Sequence, residues 1–495
     1  MITSDVRFPP TSLLINGEWR PASDNRTIDA ISPATGEKIA DLAAATKADV
    51  DAAVQAAHAE FTSGAWRSTS GAERGRLLWR FADLVEADRE NLGRLEALDV
   101  GRPFGEAAFA EIPVVVETLR HFAGWADKIS GSTYNLPPFL GADRFSYTLR
   151  QPLGVVAAIT PWNAPTMIAS WKIAPALASG NTLVVKPALE ASLTTLRLGE
   201  LALEAGIPPG VLNILTGRGS EIGTALIAHP LVSKVSFTGS TEVGIGIASN
   251  AGAALKKVTL ELGGKSPQIV WPDANLDEVV PVAALSIFAN QGQTCASGSR
   301  IYVHRSVLND FVARIKVHAE SITVGDPLAD GTDMGSLISE KQMRRVLGYI
   351  ASAREEGATL VTGGSRIGDR GYFVEPTVFV GNNDLTIAQE EIFGPVGTIV
   401  PFDDDDEVLD FANGTDYGLT AVLWTNDVRR INDSRVIFGL GWCGSMPGAR
   451  LILAAVARCQ EQRYRRGAGA CWTACEHAAQ DGQCTVACGR GGGTA

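Results

Sequence analysis

Four short apolar runs alternate with helix-like stretches in the middle of the chain, and this alternation constrains the fold most. The helical patterns cover 167–178 and about 194–205, and the apolar runs are residues 155–159, 182–185, 211–215 and 234–237. Short continuous apolar runs are typical of strands buried on both faces, as in parallel sheets. Strands that alternate with helices connect by right-handed crossovers. The sequence therefore predicts an α/β fold with a parallel sheet of the nucleotide-binding type.

Two groups of glycines lie near the ends of these runs. Gly217, Gly219 and Gly223 form an incomplete version of the dinucleotide fingerprint, which is weak evidence by itself. Gly239 and Ser240 follow the last run and precede a helical pattern, so backbone N–H groups there are placed to bind a phosphate. An ordinary strand-to-helix turn explains the same residues equally well.

The segment from Glu261 to Cys295 carries the residues best suited to chemistry. Gly263 and Gly264 follow the carboxylate almost directly, which suggests backbone that comes close to another group. Cys295 is the only cysteine in the first 442 residues. A lone cysteine is most simply a small buried hydrophobic residue, and a lone glutamate a solvated charge at a strand end. As a pair, however, they match a cysteine nucleophile and a carboxylate that serves as its base or activates water.

The motif Glu-Leu-Gly-Gly-Lys-Ser-Pro at 261–267, with Gly-Gln-Thr-Cys ending 34 residues after Glu261, resembles the aldehyde dehydrogenase superfamily. The resemblance covers roughly residues 12–435. It implies a Rossmann-type NAD(P)-binding domain, formed by 1–129 and 152–260, and an α/β catalytic domain at 261–435. Residues 130–151 would form a small β-arm for oligomerisation, so the resemblance implies a homodimer or homotetramer.

The resemblance also assigns catalytic roles. Cys295 would attack an aldehyde carbonyl, and the Asn163 side chain and the Cys295 backbone N–H would hold the resulting oxyanion. Glu261 would then activate the water that hydrolyses the thioester. Relatives that pass the acyl group to coenzyme A generally lack this glutamate, so its presence favours release of a free carboxylic acid. From the residues alone, Asn163 equally fits a turn after a strand.

The cofactor implied by the resemblance is NAD. Lys186 would hold the adenosine ribose and Glu391 the nicotinamide ribose, with Phe393 beside the ring. Leu189 stands where many NAD-specific relatives have a glutamate that rejects the 2′-phosphate, which leaves NADP open as an alternative. The full set of expected cofactor contacts is Ile159, Trp162, Lys186, Gly219, Phe237, Gly239, Ser240, Val243, Gly244, Leu262, Glu391 and Phe393.

The substrate pocket has one sequence clue. Ala164 follows Asn163 directly and Ala289 lies six residues before Cys295, whereas relatives that act on small aldehydes often have aromatic residues at both positions. Two alanines predict a roomy pocket that suits aromatic or branched aldehydes.

Composition excludes several other classes of function. The net charge of −12 argues against a nucleic-acid partner, and the six scattered histidines predict no metal site. At 495 residues, the chain is long enough for roughly three domains. The N-terminus has no signal-peptide pattern, and no apolar stretch reaches the length of a membrane span. One cysteine in the first 442 residues predicts a reducing, cytoplasmic location.

The chain departs from the family pattern after about residue 435, and its last 53 residues hold six of the seven cysteines. The family's Gly-x-Val-Trp-Val-Asn strand, its Pro-Phe-Gly-Gly turn and its final pairing strand are missing. Two Cys-x₃-Cys spacings, at 471–475 and 484–488, offer a zinc knot as one explanation. A better explanation is at least two slips of the reading frame, because 438–448 and 458–465 can be encoded so that other frames spell family-like motifs. We therefore predict a disordered tail over 436–495, an open sheet edge and weakened assembly. The alternative to an active enzyme is a catalytically silent dinucleotide-binding protein.

Overall fold

The computed structural model describes residues 6–135, 145–427 and 429–430, and the backbones of 444–445 and 452–455. In chain order its strands are β1 (Leu13–Ile15), β2 (Glu18–Arg20), β3 (Thr27–Ile31), β4 (Lys38–Ala43), β5 (Thr133–Asn135), β6 (Phe145–Tyr147), β7 (Val155–Ile159), β8 (Thr182–Lys186), β9 (Leu212–Ile214), β10 (Val232–Thr238), β11 (Lys257–Glu261), β12 (Pro267–Val270), β13 (Arg300–His304), β14 (Thr359–Thr362), β15 (Arg366–Ile367), β16 (Phe373–Val374), β17 (Thr377–Val380), β18 (Val396–Phe402), β19 (Thr420–Trp424), β20 (Gly444–Ser445) and β21 (Ile452–Ala455).

The helices connect these strands and cover both sheets. In chain order they are α1 (Lys47–Ser63), α2 (Ala65–Ser68), α3 (Gly71–Ala87), α4 (Arg89–Val100), α5 (Phe104–Glu106), α6 (Ile112–Trp125), α7 (Pro165–Ala178), α8 (Leu193–Glu204), α9 (Thr224–Ala228), α10 (Thr241–Ala253), α11 (Leu276–Phe288), α12 (Leu308–Ser321), α13 (Glu340–Glu355), α14 (Thr386–Gln389) and α15 (Asp405–Asn413). A π-helical turn, Ala107–Glu111, joins α5 to α6.

The first sheet has seven strands in the order β11-β10-β7-β8-β9-β1-β2. Strands β7 to β11 run parallel, whereas β1 and β2 pair antiparallel at the other edge. Successive residues of β7 enter different cores: Val155 and Ala157 pack on one face and Val156 and Ala158 on the other. Burial on both faces explains why these strands read as continuous apolar runs, and the predicted parallel sheet is confirmed.

The second sheet has eight strands in the order β14-β17-β18-β13-β12-β19-β21-β20. Its central strands β17, β18, β13, β12 and β19 are parallel. Strand β12 also serves two cores, because Ile269 packs on one face and Val270 on the other. The two sheets meet at the predicted motif: Glu261 ends β11 in the first sheet and Pro267 begins β12 in the second.

The open edge predicted beside the last regular strand is wrong for the described residues. The backbone of Ile452–Ala455 pairs antiparallel with β19, and Gly444–Ser445 pairs with it in turn. Backbone N–H and C=O groups pair whatever side chains they carry, so a foreign sequence can still cover an edge. The rest of the predicted disordered segment, 436–495, lies outside the described residues, as do the proposed cysteine spacings.

A small antiparallel pair, β5 and β6, lies where the oligomerisation arm is expected. Its side chains are exposed: Phe145 is 80% and Tyr147 57% accessible. The pairing of strands is confirmed, while the boundaries 130–151, 1–129, 152–260 and 261–435 stay predictions.

Candidate active site

Gly263 and Gly264 allow the backbone after Glu261 to pass between two functional groups. A Cβ on Gly263 would lie 2.6 Å from Glu391 Oε2, and one on Gly264 would lie 2.3 Å from the Cys295 carbonyl oxygen. The Gly264 N–H donates to Glu391 Oε1 at 2.9 Å. The close approach expected from the sequence therefore takes place, and its partners are Glu391 and Cys295.

The turn before Cys295 holds three residues in a left-handed conformation. Asn290 has φ 50°, Gln291 has φ 57° and Gly292 has φ 68°. A Cβ on Gly292 would lie 2.1 Å from the Gly394 carbonyl oxygen, so only glycine fits there. Non-glycine residues in this region cost about 1–3 kcal/mol each and persist where surrounding contacts fix them.

Asn163 lies against this turn although it is far away in the sequence. Its Nδ2 donates to the Gln293 carbonyl at 2.9 Å, and its own carbonyl accepts from Asn290 Nδ2 at 2.7 Å. A side-chain amide has two N–H donors, so one remains for another acceptor. The structure thus brings Asn163 within two residues of Cys295, as an oxyanion donor requires.

The Cys295 thiol is held in its protonated form. Burial raises the pKa of Cys295 to about 12, and the carboxylates of Glu391 and Glu261 act in the same direction. The backbone N–H groups of Cys295 and Ala296 oppose this by favouring the thiolate. The residue as a whole is partly exposed, although the thiol itself is buried.

Glu261 faces an open cavity of about 1310 Å³, which Leu262 and Glu391 also line. Although its side chain is exposed to this cavity, the surrounding walls restrict hydration and raise the pKa of the Glu261 carboxyl. The nearby Lys172 ammonium lowers that pKa in part. A carboxyl with a raised pKa that faces open space is suited to proton transfer.

The other predicted residues lie side by side at the carboxyl ends of the parallel strands. Ile159 at the end of β7 pairs in register with Lys186 at the end of β8 and with Phe237 of β10. Thr238 pairs in turn with Glu261 at the end of β11. Ligands of open α/β sheets bind outside this edge.

Helix α10 begins at the same edge. Ser240 Oγ accepts from the Val243 N–H at 3.4 Å and caps the helix. A Cβ on Gly239 would lie 2.5 Å from the Phe237 ring, and one on Gly244 would lie 2.4 Å from Leu262. The strand-to-helix turn expected here is confirmed, and its first N–H groups lie at the ligand edge.

Lys186 and its neighbours form the far part of this edge. Lys186 Nζ donates to the Pro187 carbonyl at 2.8 Å, and burial lowers the pKa of Lys186 to about 8. Gly219 begins a turn with open space around it. Leu189 packs against the main core, whereas Glu190 is exposed.

Residues 391–393 form a second segment beside the cavity, which Glu391 lines together with Glu261. The Phe393 ring meets the Trp162 ring edge-on, with centroids 5.1 Å apart. Phe393 has φ 60°, and Gln342 Nε2 donates to its carbonyl at 2.8 Å. Arg345 Nη2 donates to the Glu391 carbonyl at 2.8 Å. These contacts fix the segment, and Glu391 lines the cavity.

Sequence reasoning missed four residues of this site: Arg102, Lys172, Asn290 and Gln293. Lys172 Nζ donates to Ser236 Oγ at 3.1 Å and acts on Glu261, but a lysine on an apolar helix carries no signal of this. Asn290 and Gln293 stand within the Gly-Gln-Thr-Cys neighbourhood, which was the available clue.

Two absences follow from the described part of the chain. No three His, Cys, Asp or Glu side chains there are arranged to hold a metal ion. No helix among those residues has both the length and the apolarity needed to cross a membrane.

Known proteins with the same arrangement identify the family. The sequence model described as "Aldehyde dehydrogenase family" matches residues 19–441. Phenylacetaldehyde dehydrogenase of Pseudomonas fluorescens is 48% identical over 432 residues, which is 86% of each chain. Retinal dehydrogenase 2 of Mus musculus is 46% identical over 431 residues, covering 86% of this chain and 82% of the relative. An NAD+ complex of aldehyde dehydrogenase from Bacillus cereus superposes with a TM-score of 0.84 at 43% identity, covering 86% of each chain. The chain therefore belongs to the aldehyde dehydrogenase family.

Proposed function

We propose that this chain oxidises an aldehyde to the carboxylic acid with NAD+, through a covalent adduct on Cys295. One observation carries the proposal: Gly263 and Gly264 pass between the Glu391 carboxylate and the Cys295 carbonyl, Asn163 binds the turn before Cys295, and Glu261 and Glu391 line one cavity. The general reaction is that of the family, and the assignment of roles is our inference.

The residues fit a dinucleotide. The N-terminus of α10 can face the pyrophosphate, Lys186 the adenosine ribose and Glu391 the nicotinamide ribose. Gly239 and Gly244 support this because larger residues would collide there with Phe237 and Leu262. When bound, the nicotinamide accepts the hydride that leaves the Cys295 adduct. The NAD+ complex of the Bacillus cereus relative favours NAD, whereas Leu189 lacks the carboxylate that would reject NADP.

The first chemical step is attack of the Cys295 sulfur on the aldehyde carbon, which gives a thiohemiacetal. Because the thiol is protonated at neutral pH, its proton must leave as the C–S bond forms. Glu391 is occupied by the Gly264 N–H, so we assign proton acceptance to Glu261, which faces the cavity. The free N–H of Asn163 and the Cys295 backbone N–H hold the oxyanion. Loss of one such donor typically costs about 10²–10³ in rate.

The second step is hydrolysis of the Cys295 thioester. Once the hydride has left the adduct, Glu261 releases the thiol proton to solvent through the cavity and then takes a proton from water, which attacks the thioester carbonyl. The C–S bond breaks, the acid leaves, and the Cys295 sulfur takes that second proton to restore the thiol. The raised pKa of Glu261 makes it a stronger base than an ordinary carboxylate. The Lys172 ammonium opposes the effect of burial and lowers that pKa in part.

The test is formation of NADH by the purified chain with a panel of aldehydes, beside Cys295→Ala. We expect turnover that disappears in the variant. A folded chain that binds NAD+ but turns over none of the aldehydes would refute the proposal and support the silent dinucleotide-binding alternative.

The substrate class is a separate part of the proposal. Ala164 follows Asn163 and Ala289 lies six residues before Cys295, both with small side chains, and two relatives are named for phenylacetaldehyde and retinal, which are both bulky. We expect kcat/KM to be higher for benzaldehyde and phenylacetaldehyde than for acetaldehyde. Ala289→Phe should reduce or reverse that preference. Preference of the unaltered chain for acetaldehyde would contradict the roomy pocket.

We further propose that the arm at 130–151 joins subunits of a homodimer or homotetramer. Its exposed aromatic side chains, Tyr134, Phe145 and Tyr147, are suited to burial in such a contact. Light scattering should show an oligomer that weakens in Phe145→Ser. A monomer with the unaltered arm would contradict this assignment. The domain boundaries and the cytoplasmic location remain part of the same proposal.

A further inference from the structure

We propose that Arg102 is a positioning residue that sets the Asn163 amide and the Cys295 loop in their reactive arrangement. This inference rests on the proposed function of Asn163 and Cys295. Arg102 follows α4 and is 5% exposed, and it makes no contact with the large cavity beside Glu261. Its effect on the reaction would therefore pass through the groups that it holds.

The guanidinium of Arg102 binds in three directions at once. Nη2 donates to the Asn163 carbonyl at 2.9 Å and Nε to Asn290 Oδ1 at 3.2 Å. Nη1 donates to Glu96 Oε1 at 2.7 Å and also pairs with Glu111. A planar fork with donors on separate edges is needed for this, and lysine does not have one.

The groups that Arg102 binds form a closed ring of hydrogen bonds. Asn290 Nδ2 donates to the Asn163 carbonyl at 2.7 Å and to the Gln293 carbonyl at 3.2 Å. The Asn163 side chain closes the ring by donating to the same Gln293 carbonyl at 2.9 Å. The direction of the remaining Asn163 N–H is thus fixed relative to Gln293, two residues before Cys295.

The carboxylates around Arg102 attach this ring to the neighbouring elements. Glu96 Oε2 accepts from the Thr166 hydroxyl at 2.7 Å, in the first turn of α7. Glu106 Oε2 accepts from the Asn290 N–H at 3.2 Å, and Glu106 also pairs with Arg102. One buried guanidinium therefore links α4, α7 and the cysteine loop.

The loop needs such a restraint because its backbone is strained. Asn290 and Gln291 are buried with positive φ, a conformation that relaxes when its contacts are removed. Displacement of a reacting group by about 1 Å can cost about 100-fold in rate. Weaker hydrogen bonding by the residue at position 102 should therefore lower kcat, although no reacting group is removed.

The experiment uses Arg102→Lys in the full chain, with Arg197→Lys as the matched control. Arg197 is equally buried and binds Asp88 through Nε and Nη2, each at 2.8 Å, but it lies on α8 away from the site. Asn290→Asp is the second variant: aspartate tolerates positive φ and still accepts from Arg102, but loses both N–H donations.

We expect Arg102→Lys and Asn290→Asp to lower kcat at least about tenfold, with the Kd for NAD+ within about twofold of the unaltered chain. Arg197→Lys should leave kcat within about twofold. In an Asn163→Ala background, Arg102→Lys should lower kcat by a smaller factor than in the unaltered chain, because only its effect through the Cys295 loop remains and groups that act as one unit are not additive. Full additivity of these two substitutions, or an unchanged kcat in both variants, would overturn the proposal.

A readout independent of turnover separates this inference from the proposed function. Amide hydrogen exchange of the peptide spanning 288–295 should accelerate at least about tenfold in Arg102→Lys and not in Arg197→Lys. If the unaltered chain oxidises no aldehyde, the proposed function fails, while this acceleration still supports Arg102 as the restraint. Unchanged exchange in that peptide overturns the restraint whatever the activity.

Discussion

Gly264→Ala should inactivate the protein while leaving most of its fold intact. Gly264 lies between two groups of the site: its N–H binds Glu391, and its α-carbon faces the Cys295 carbonyl. An added Cβ would lie 2.3 Å from that carbonyl oxygen and 3.2 Å from Leu419 Cβ. The first of these contacts cannot be relieved by a rotamer change, because the obstructing atom is backbone.

The size of the effect follows from that distance. Ordinary van der Waals contact begins near 3.4 Å, so the Gly263-Gly264 backbone and the Cys295 backbone must move apart by about 1 Å. A misplacement of that size costs on the order of 100-fold in rate when it affects reacting groups. Overpacking of this kind also lowers the free energy of unfolding by about 1–3 kcal/mol. We therefore expect a loss of kcat near 100-fold and a modest fall in melting temperature.

Two neighbouring substitutions test the reasoning. Gly348→Ala lies within α13 with open space around its Cβ, so kcat should not change and stability should rise by about 0.5–1 kcal/mol. Gly263→Ala would meet the flexible end of Glu391 at 2.6 Å, and we expect it to raise the KM for NAD+ more than it lowers kcat. Steady-state kinetics over a range of NAD+ concentrations, together with thermal unfolding, measure all three. Gly264→Ala with kcat within about threefold of the unaltered chain would refute the steric argument.

Three further predictions concern single carboxyl groups. Glu261→Gln should slow both formation of the Cys295 adduct and hydrolysis of its thioester, so NADH formation and acid release should both fall in rapid-mixing kinetics; steady acid release would exclude Glu261 as the base. Burial raises the pKa of Asp99 to about 8, so between pH about 4 and 8 the folded state binds a proton that the unfolded state has lost. Stability should fall as pH rises through this window by up to about 1.4 kcal/mol per unit, and Asp99→Asn should remove that slope in urea titrations. Equal slopes in both proteins would show that Asp99 is ionised when folded. Leu189→Glu should lower kcat/KM for NADP+ relative to NAD+, and an unchanged ratio would contradict the role given to Leu189.

Much of the first sheet could be predicted from the sequence because its signals are local. The predicted run 155–159 coincides with β7, and 182–185 differs from β8 by one residue. Strands buried on both faces need apolar side chains at successive positions, and that requirement is visible without knowledge of the neighbours. The glycine pair after Glu261 was informative for the same reason, since absence of a side chain implies close approach.

The restraints around the site could not be predicted, because they join residues that are distant in sequence. Arg102 reaches Asn163 across 61 residues and Asn290 across 188. An arginine before a proline is an ordinary helix-end residue until those partners are known. The left-handed turn at Asn290 and Gln291 was equally hidden, because neither residue type demands positive φ. Side-chain identity gave the reacting groups, whereas their arrangement depends on tertiary contacts.

The sequence alone does not show how the roles of the Glu261 and Glu391 carboxylates differ. Both Glu261 and Glu391 raise the pKa of Cys295, so each helps to keep the thiol protonated until a substrate arrives. Burial raises the pKa of both carboxyls; the Gly264 N–H lowers that of Glu391 in part, and Lys172 lowers that of Glu261 in part. Both carboxylates line the cavity, but one Glu391 oxygen accepts from the Gly264 N–H, which favours an orienting role for Glu391 and leaves proton transfer to Glu261. The Gly264 N–H thus binds Glu391 while its α-carbon sets the approach to Cys295, so one glycine helps to place both groups.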